Sequence, residues 1–567
     1  MPASQALRDM LNGFPLVERI DFPSLKDLEN LIFFFHSKLY FFLMNRQEQI
    51  ARLSQQDCFD IIIIGGGATG LGCAVDSASR GYKTLLIEKF DFAKGTSSRS
   101  TKIIHGGVRY LSQGNFRLVR EALIERGRLL KNAPHVCHRF PFVVPSYKWW
   151  QKWYYGFGLM CYEKMSGKLS LGKTKLLSKK ETLELLPNLS DKKLNGGVLY
   201  FDGQFDDSRL AINLAQTAVE EGAIVINYFS LTNFIKEKEK IIGIEATDEI
   251  TRKKFELKSK VVINATGAFA DNILQLAENS IVKTIAPSQG IHLVIEKYLF
   301  KNDAAMMIPK TDDGRVLFAI PWHDKLLLGT TDTPVENISI EPKPLEEEIN
   351  FIINHFNKYS SAIIDKKDIK SIFVGIRPLA KMSSKKKTSA MPRNHVVKIW
   401  SSGLVNISGG KWTTYRKMAE SAVVKAVKFA KLNVSSCRTS NLKIHGWIEN
   451  NEKDYLSIYG SDAKEIRKMM NDDSSLKEKI HPNYPNTKAE VKWMIRNEMA
   501  ITVEDILARR LRLLFLDSKA AMDSATVIVK WMAEENGNNE NWQIEQVKIF
   551  CNLASGYNFD SIKFTTS

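Results

Sequence analysis

No two of the six cysteines (Cys58, Cys73, Cys137, Cys161, Cys437 and Cys551) stand in a CxxC or any other paired spacing. Their scatter excludes a disulfide framework and a cysteine-held zinc site, so no metal is expected, and it favours a reducing compartment. Long apolar runs are missing as well. A membrane span needs roughly 18–20 uninterrupted apolar residues, and the nearest approach, LIFFFHSKLYFFLM at 31–44, is broken by His36, Ser37 and Lys38. That run lies too far in for a signal peptide, and Asp9, Glu18, Asp21, Asp27 and Glu29 count against a transit peptide. No internal repeat occurs, and the one low-complexity tract is the short SSKKKTS at 383–389. Acid is in short supply: 80 Lys and Arg face 63 Asp and Glu, a net charge of +17. The excess suits an anionic partner, whether nucleic acid, lipid headgroups or a phosphorylated small molecule, and no nucleic-acid motif is present to claim it.

What is present starts at the end of this apolar stretch. Met44 opens MNRQEQIARLSQQDCFD, a natural start for a soluble enzyme. Residues 1–43 therefore read as an accessory segment or the product of a misplaced start codon, with an N-terminal helix packed on the body as the plain alternative. Beyond Cys58 runs FDIIIIGGGATGLGCAVDSASRGYKTLLIEK. Ile61 to Ile64 predict a strand buried on both faces, as in a parallel sheet. The small residues from Leu71 to Arg80 predict a helix lying close on that sheet, Gly81 ends it, and KTLLI at 83–87 is a second strand reaching Glu88. Gly65, Gly67 and Gly70 give GxGxxG, with an acid 18 residues after Gly70, the dinucleotide-binding fingerprint in its proper context. Gly65 allows the tight turn, Gly67 lets backbone approach a diphosphate, and Gly70 lets helix and strand touch. The N–H groups near Ala68 and Thr69 at the helix start attract phosphate. Glu88 accepts from both ribose hydroxyls while its charge disfavours a 2′-phosphate; Lys89 flanks it.

Strand and helix signals then alternate. NGGVLYFDGQFDDSRLAINLAQTAVEEGAIVINY (195–228) reads strand, loop, helix, strand, and KSKVVINATGAF (258–269) is a strand ending in Ala265-Thr266-Gly267, a second glycine turn toward a bound flavin nucleotide. Residues 285–335 hold the β-rich runs IHLVIE, VLFAIPW and KLLLGTTD, which predict a sheet-based substrate domain inserted into the cofactor domain. GLVNISGGKWTTYRKMAESAVVKAVKFAKL (403–432) returns to strand, glycine turn (Gly409, Gly410) and helix. From about 445 the chain is polar and helical, and Thr502-x-x-Asp505 caps an apolar periodic run. The hydroxyl run Thr96, Ser97, Ser98, Ser100 and Thr101 follows the Glu88 turn, where uncharged donors suit phosphate oxygens. Gly106-Gly107 lets backbone lie flat against an isoalloxazine ring, with Arg109 and Tyr110 pointing into the space above it.

Here a resemblance becomes specific. GGGATGLGCAVDSASRGYKTLLIEKFDFAKGTSSRSTKIIHGGVRYL, YFDGQFDDSRL, NATGAFAD, PSQGIHLV, IPWHDKLLLGTTDTP, GIRPL, SGGKWTTYRKMAE and RNEMAITVEDILARR run in order over roughly four fifths of the chain. They resemble the FAD-dependent, quinone-reducing glycerol-3-phosphate dehydrogenases. The resemblance implies an α/β fold: a Rossmann-like FAD domain with an inserted β-rich substrate domain and a small helical C-terminal domain. The expected division is an N-terminal extension at 1–57, an oxidoreductase region at 58–440 and a helical domain at 441–567. Within 58–440 the FAD-binding segments are about 58–145, 195–285 and 370–432, and the substrate portion is about 285–370. It implies oxidation of sn-glycerol 3-phosphate to dihydroxyacetone phosphate, hydride passing to FAD and electrons to membrane quinone.

That reaction asks for a dianion clamp, a base near C2 and a rigidly held flavin. Matching to the family puts Arg377 (GIRPL), Arg393 (MPRNH) and Lys411 (GGKWTT) in the clamp, with Arg109 and Tyr110 in the same pocket; each cation competes with a plain surface reading. Lys411 either clamps substrate or neutralises the flavin N1–C2=O edge. The base is His292 (SQGIHLV) or His105, the latter also placed to serve the flavin. Thr331 and Asp332 (GTTD) order the pocket or form a strand-end turn, and Thr413 and Thr414 accompany Gly409-Gly410 at the flavin. Two stretches suit an anionic membrane surface. The helix at 411–432 mixes Lys417, Lys425, Lys428 and Lys431 with Met418, Ala422, Val423, Val427 and Phe429. SYKWWQKWYYGFGLMCYEK (146–164) interleaves lysines with aromatic rings. The expected location is cytoplasmic, peripheral to the inner membrane, ahead of a mitochondrial membrane. A homodimer is left open. The rivals are an oxidase delivering electrons to dioxygen, an amine or amino-acid oxidase on the same fold, whose carboxylate-bearing substrate needs fewer cations, and a flavin-binding redox partner or scaffold without turnover.

Overall fold

The computed structural model describes residues 44–562 except 113, 279–282, 310, 313, 382–394 and 450–453, and the backbone alone at 109 and 112. The readings of residues 1–43, of Arg393 and of the Arg109 side chain lie outside the described residues.

Ile61 to Ile64 form the carboxyl-terminal part of the strand Cys58–Ile64, and alternation sends their side chains to opposite faces. Ile61 and Ile63 enter a core with Leu71, Ala215 and Ala422, supplied by the helices Ala68–Ser79, Asp207–Glu220 and Tyr415–Phe429. Ile62 and Ile64 enter another with Phe229, Phe234 and Leu274. All four are at most 5% exposed, as a doubly covered parallel strand requires. Among the described residues this sheet has eight strands. Six of them follow the order His395–Ile399, Val405–Gly409, Lys254–Asn264, Cys58–Ile64, Thr84–Ile87, Ile224–Ile226. The first pairing in that order is antiparallel and the remaining four are parallel.

The helix Tyr415–Phe429 departs from one membrane reading. Met418, Ala422, Val423 and Val427 are at most 4% exposed and belong to the core, packed against the helix Ala68–Ser79. The apolar face that periodicity revealed is therefore already covered, and no bilayer is needed to cover it.

The second sheet, with ten strands among the described residues, is organised around the long antiparallel pair Ile285–Glu296 and Ile369–Ala380. It is not drawn from one interval of chain. Cys137–Ser146 and Gly196–Phe205 pair antiparallel along their whole length and join it. The strands that open 195–228 and 370–432 thus lie in this sheet. Beyond it, the helices Ala463–Asp472, Lys488–Asn497, Ser518–Asn536 and Glu540–Ser555 pack into a shared cluster with part of the second sheet. Asp505 Oδ2 accepts the Thr502 N–H at 2.9 Å, and Thr502 Oγ1 accepts the Asp505 N–H at 3.3 Å. The run they cap, Asp505–Arg510, is π-helical, a form found mostly as short bulges at functional places.

Candidate active site

The carboxyl ends of the parallel strands open onto a cavity of about 1340 Å³, lined by Gly65, Thr266 and Gly409 and also by His292, Arg377 and Lys411. Ordinary ligand pockets span about 300–1,000 Å³, so there is room for a dinucleotide and a small substrate together.

Gly65 has φ +109°, and a Cβ on Gly70 would stand 1.8 Å from the Gly65 carbonyl oxygen. The turn and the helix start cannot otherwise coexist. The first intrahelical bond runs from Leu71 N–H to Gly67 O at 2.9 Å, so the N–H groups before it are those a diphosphate would meet. One is taken: Ser97 Oγ accepts the Ala68 N–H at 2.9 Å. Glu88 accepts the N–H of Gly66 at 2.6 Å and of Phe90 at 2.9 Å, and burial pushes its carboxyl upward against them. With about four lone-pair sites it can still receive ribose hydroxyls. Lys89 is exposed at the rim.

Thr96, Ser97 and Thr101 line the cavity; Ser98 does not, its hydroxyl donating to Gly95 O at 3.4 Å. Ala265, Thr266 and Gly267 also line it, Ala265 N–H donating to Ile64 O at 2.9 Å. Gly409, Gly410 and Thr413 do so as well, while Thr414 is buried with its hydroxyl on Lys411 O at 3.3 Å. Trp412, not anticipated from sequence, donates from Nε1 to Ser97 O at 2.8 Å and fastens the hydroxyl turn to the Gly409–Gly410 turn. His105 and Gly107 face the cavity. Gly106 faces away, its N–H donating to Tyr162 Oη at 2.6 Å, and Tyr162 in turn donates to Asp202 at 2.9 Å. Burial lifts that carboxyl to about 6. The glycine turn, Glu88 and Gly409–Lys411 together fit a flavin dinucleotide: helix N–H groups for the diphosphate, an acid for the ribose, a cation beside the ring.

His292, also in the lining, is 2% exposed and stacks on Phe373 at 4.8 Å. Its Nε2 lies 2.9 Å from Thr101 Oγ1, and Nδ1 is buried without a hydrogen-bond partner. Burial, then the charges of Lys102 and Arg377, hold the imidazole well below the usual histidine value. Arg377 donates to Gln289 O at 3.2 Å and to Thr330 Oγ1 at 3.1 Å, and stands 3.6 Å from Asp332. A Cβ on Gly290 would come 2.4 Å from the Arg377 guanidinium. Asp332 accepts from Ser288. Thr331 is buried in structural work, donating to Glu348 at 2.8 Å and accepting Ile291 N–H at 3.0 Å. Lys411 Nζ lies 4.4 Å from the centre of the Tyr110 ring. The structure thus brings His292, Arg377, Lys411, Tyr110 and Asp332 to one cavity. Gly290 and Glu348 escaped sequence reading, since only strand pairing shows what Gly290 faces and only the fold brings Glu348, on the helix Glu346–Asn357, to Thr331.

Residues 60–416 match the model of the FAD dependent oxidoreductases, and 404–543 that of the C-terminal domain of alpha-glycerophosphate oxidase. The chain is 38% identical over 570 residues to a mitochondrial glycerol-3-phosphate dehydrogenase of Rattus norvegicus, covering 92% of this chain and 77% of the relative. With one of Arabidopsis thaliana it shares 36% over 548 residues, covering 89% and 87%. Among solved structures, the FAD complex of glycerol-3-phosphate dehydrogenase from Bacillus halodurans has a TM-score of 0.75 at 27% identity, covering 92% of this chain and 99% of that one.

Proposed function

Because the chain belongs to the FAD-dependent glycerol-3-phosphate dehydrogenase family, we infer that it oxidises sn-glycerol 3-phosphate at C2 to dihydroxyacetone phosphate. When bound, FAD supplies the acceptor for the hydride leaving C2. The observation that carries the reading is that His292, Arg377 and Lys411 line the same cavity as the Gly65–Gly70 turn. Arg377 presents a planar fork to the phosphate oxygens, steadied by Gln289 O and Thr330. The neutral His292 ring accepts the C2 hydroxyl proton at Nε2, the nitrogen beside Thr101. Lys411, on its glycine turn, adds positive charge where reduction builds negative charge.

The test is anaerobic mixing of FAD-loaded protein with glycerol 3-phosphate while flavin absorbance is followed. Bleaching by that compound and not by glycerol is expected; absence of bleaching overturns the reading. The oxidase rival is disfavoured, since relatives sharing 36–39% identity are named dehydrogenases.

In this reading the electrons pass on to a membrane quinone. No helix among the described residues is long and apolar enough to cross a membrane; the contact in this reading is peripheral, and what supports it is the helix Gln151–Met165 with its approach. Trp149, Trp153 and Phe157 are 75%, 62% and 74% exposed beside Lys148 and Lys152, rings and cations suited to headgroup level. Tyr154, Phe157 and Gly158 of this helix also line the cavity, so a quinone arriving from lipid would meet its mouth. The named relatives are mitochondrial, whereas the sequence pointed to the cytoplasmic membrane; either surface offers anionic lipid. Changing Trp149 and Trp153 to Ser should release the enzyme from anionic vesicles while leaving its reduction by substrate intact. Undiminished vesicle binding removes this surface from consideration.

A further inference from the structure

The loop that presents Thr101 to His292 is built around a lysine with no part in the reaction just described. Lys102 is wholly buried and has φ +62°, in the left-handed region that side chains other than glycine rarely adopt. Its Nζ donates to Asp207 Oδ2 at 2.7 Å and Ser98 O at 2.8 Å. It stands 5.0 Å from the centre of Phe373, 5.2 Å from Trp322 and 5.7 Å from Phe515, an aromatic surround that favours an ammonium. Asp207 gathers three further donors: Ser100 N–H at 3.0 Å, Ser100 Oγ at 2.7 Å and Arg512 at 3.0 Å. Arg512 also reaches Ser98 O at 2.8 Å. The loop 98–102 is thereby held at both ends by one carboxylate and one guanidinium. Phe373 links the cluster to the site, since the ring beside Lys102 Nζ is the ring on which His292 stacks.

We propose that Lys102 is a positioning residue for glycerol-3-phosphate oxidation: anchored on Asp207, it fixes Thr101 against His292 Nε2 and keeps a positive charge beside Phe373, the ring on which the imidazole stacks. The charges facing His292 are Lys102 from this loop and Arg377, with Asp332 beside it, from the neighbouring strands; those facing Lys102 are Asp207, Arg512 and Asp206. Burial draws the Lys102 ammonium down to about 7, with Asp207 opposing and Arg512 adding. The charge is therefore in place below that pH, where an imidazole would otherwise take up a proton.

The inference rests on His292 being the base, and the experiment separates the two. The rate of anaerobic flavin reduction by saturating glycerol 3-phosphate is followed from pH 5.5 to 9.5 in FAD-loaded full-length protein. Losing a neighbouring cation raises the histidine pKa, so Lys102→Met should move the acid limb to higher pH by ~1 unit, with bound FAD unchanged. Lys102→Arg, which keeps the charge, should leave the limb near its original place. An unshifted limb in Lys102→Met overturns the proposal. If His292→Gln still shows the acid limb, the base reading fails instead, because another group is titrating. Should Lys102→Met not accumulate as FAD-bound protein, Thr101→Val carries the test. It should slow reduction at least tenfold with the half-saturating substrate concentration unchanged, and an unaltered rate overturns the proposal.

Discussion

Gly329 and His292 are paired across antiparallel strands, and a Cβ added to Gly329 would stand 2.3 Å from His292 Cδ2. The neighbouring backbone therefore sets where the imidazole lies as much as its own rotamer does. Gly329→Ala should displace the ring and slow flavin reduction by glycerol 3-phosphate on the order of 100-fold. FAD content should stay whole, because the glycine turn lies elsewhere. Stopped-flow reduction together with the bound-flavin spectrum checks both halves.

Arg377 sits at the cavity wall with 19% of its side chain exposed. Arg377→Ala should raise the half-saturating glycerol 3-phosphate concentration about 10- to 100-fold, the worth of one or two charge-assisted hydrogen bonds. Arg377→Lys should recover only part of this, since an ammonium lacks the planar fork. Loss of FAD from either variant would move Arg377 out of the substrate end.

Asp91 is wholly buried, accepting from Arg509 Nε at 2.5 Å and from Arg510 at 2.8 Å. Arg510 and Arg509 hold its carboxyl below the ordinary aspartate value against the opposing effect of burial. Asp91→Ala leaves two guanidinium groups short of a partner in the interior and should cost ~3–5 kcal/mol. Chemical unfolding of FAD-bound protein measures it.

His445 bridges Glu220 and Asp462, the latter at 2.8 Å. Burial lowers its pKa, but the hydrogen bonds to Asp462 and Glu220 win and raise it to about 10. The unfolded chain titrates near ~6.5, so the folded state binds the extra proton. The stabilisation is full below that value and is lost as pH rises toward 10. The stability gap between wild type and His445→Gln should be widest near pH 6 and close by pH 10. A gap independent of pH would refute this account.

How much of this was legible beforehand depends on the distance over which each contact is made. The Gly65–Gly70 turn and Glu88 lie within one strand–helix–strand unit, so spacing and composition suffice to recognise them. The same holds for the buried isoleucine strand. Residues such as His292 and Arg377 were reached through the likeness of their motifs, and spacing alone did not place them. The helix Tyr415–Phe429 shows the limit of periodicity, which displays an apolar face but not the helix Ala68–Ser79 that covers it. The Lys102–Asp207–Arg512 cluster was invisible for a related reason. Lys102 and Asp207 are 105 residues apart, Asp207 and Arg512 another 305, and a charged residue in sequence reads as solvent-facing until folding buries it.

Arg512 lies 414 positions beyond Ser98, whose carbonyl it holds. On the ribosome, then, the loop 98–102 is made early and waits for one of its fasteners until most of the polypeptide has been synthesised. A nascent chain ending short of that arginine carries the glycine turn but leaves the Asp207 carboxylate one donor poorer. The settled form of the loop 98–102 is accordingly a late event in biogenesis, and premature termination just ahead of residue 512 would leave that loop without its guanidinium.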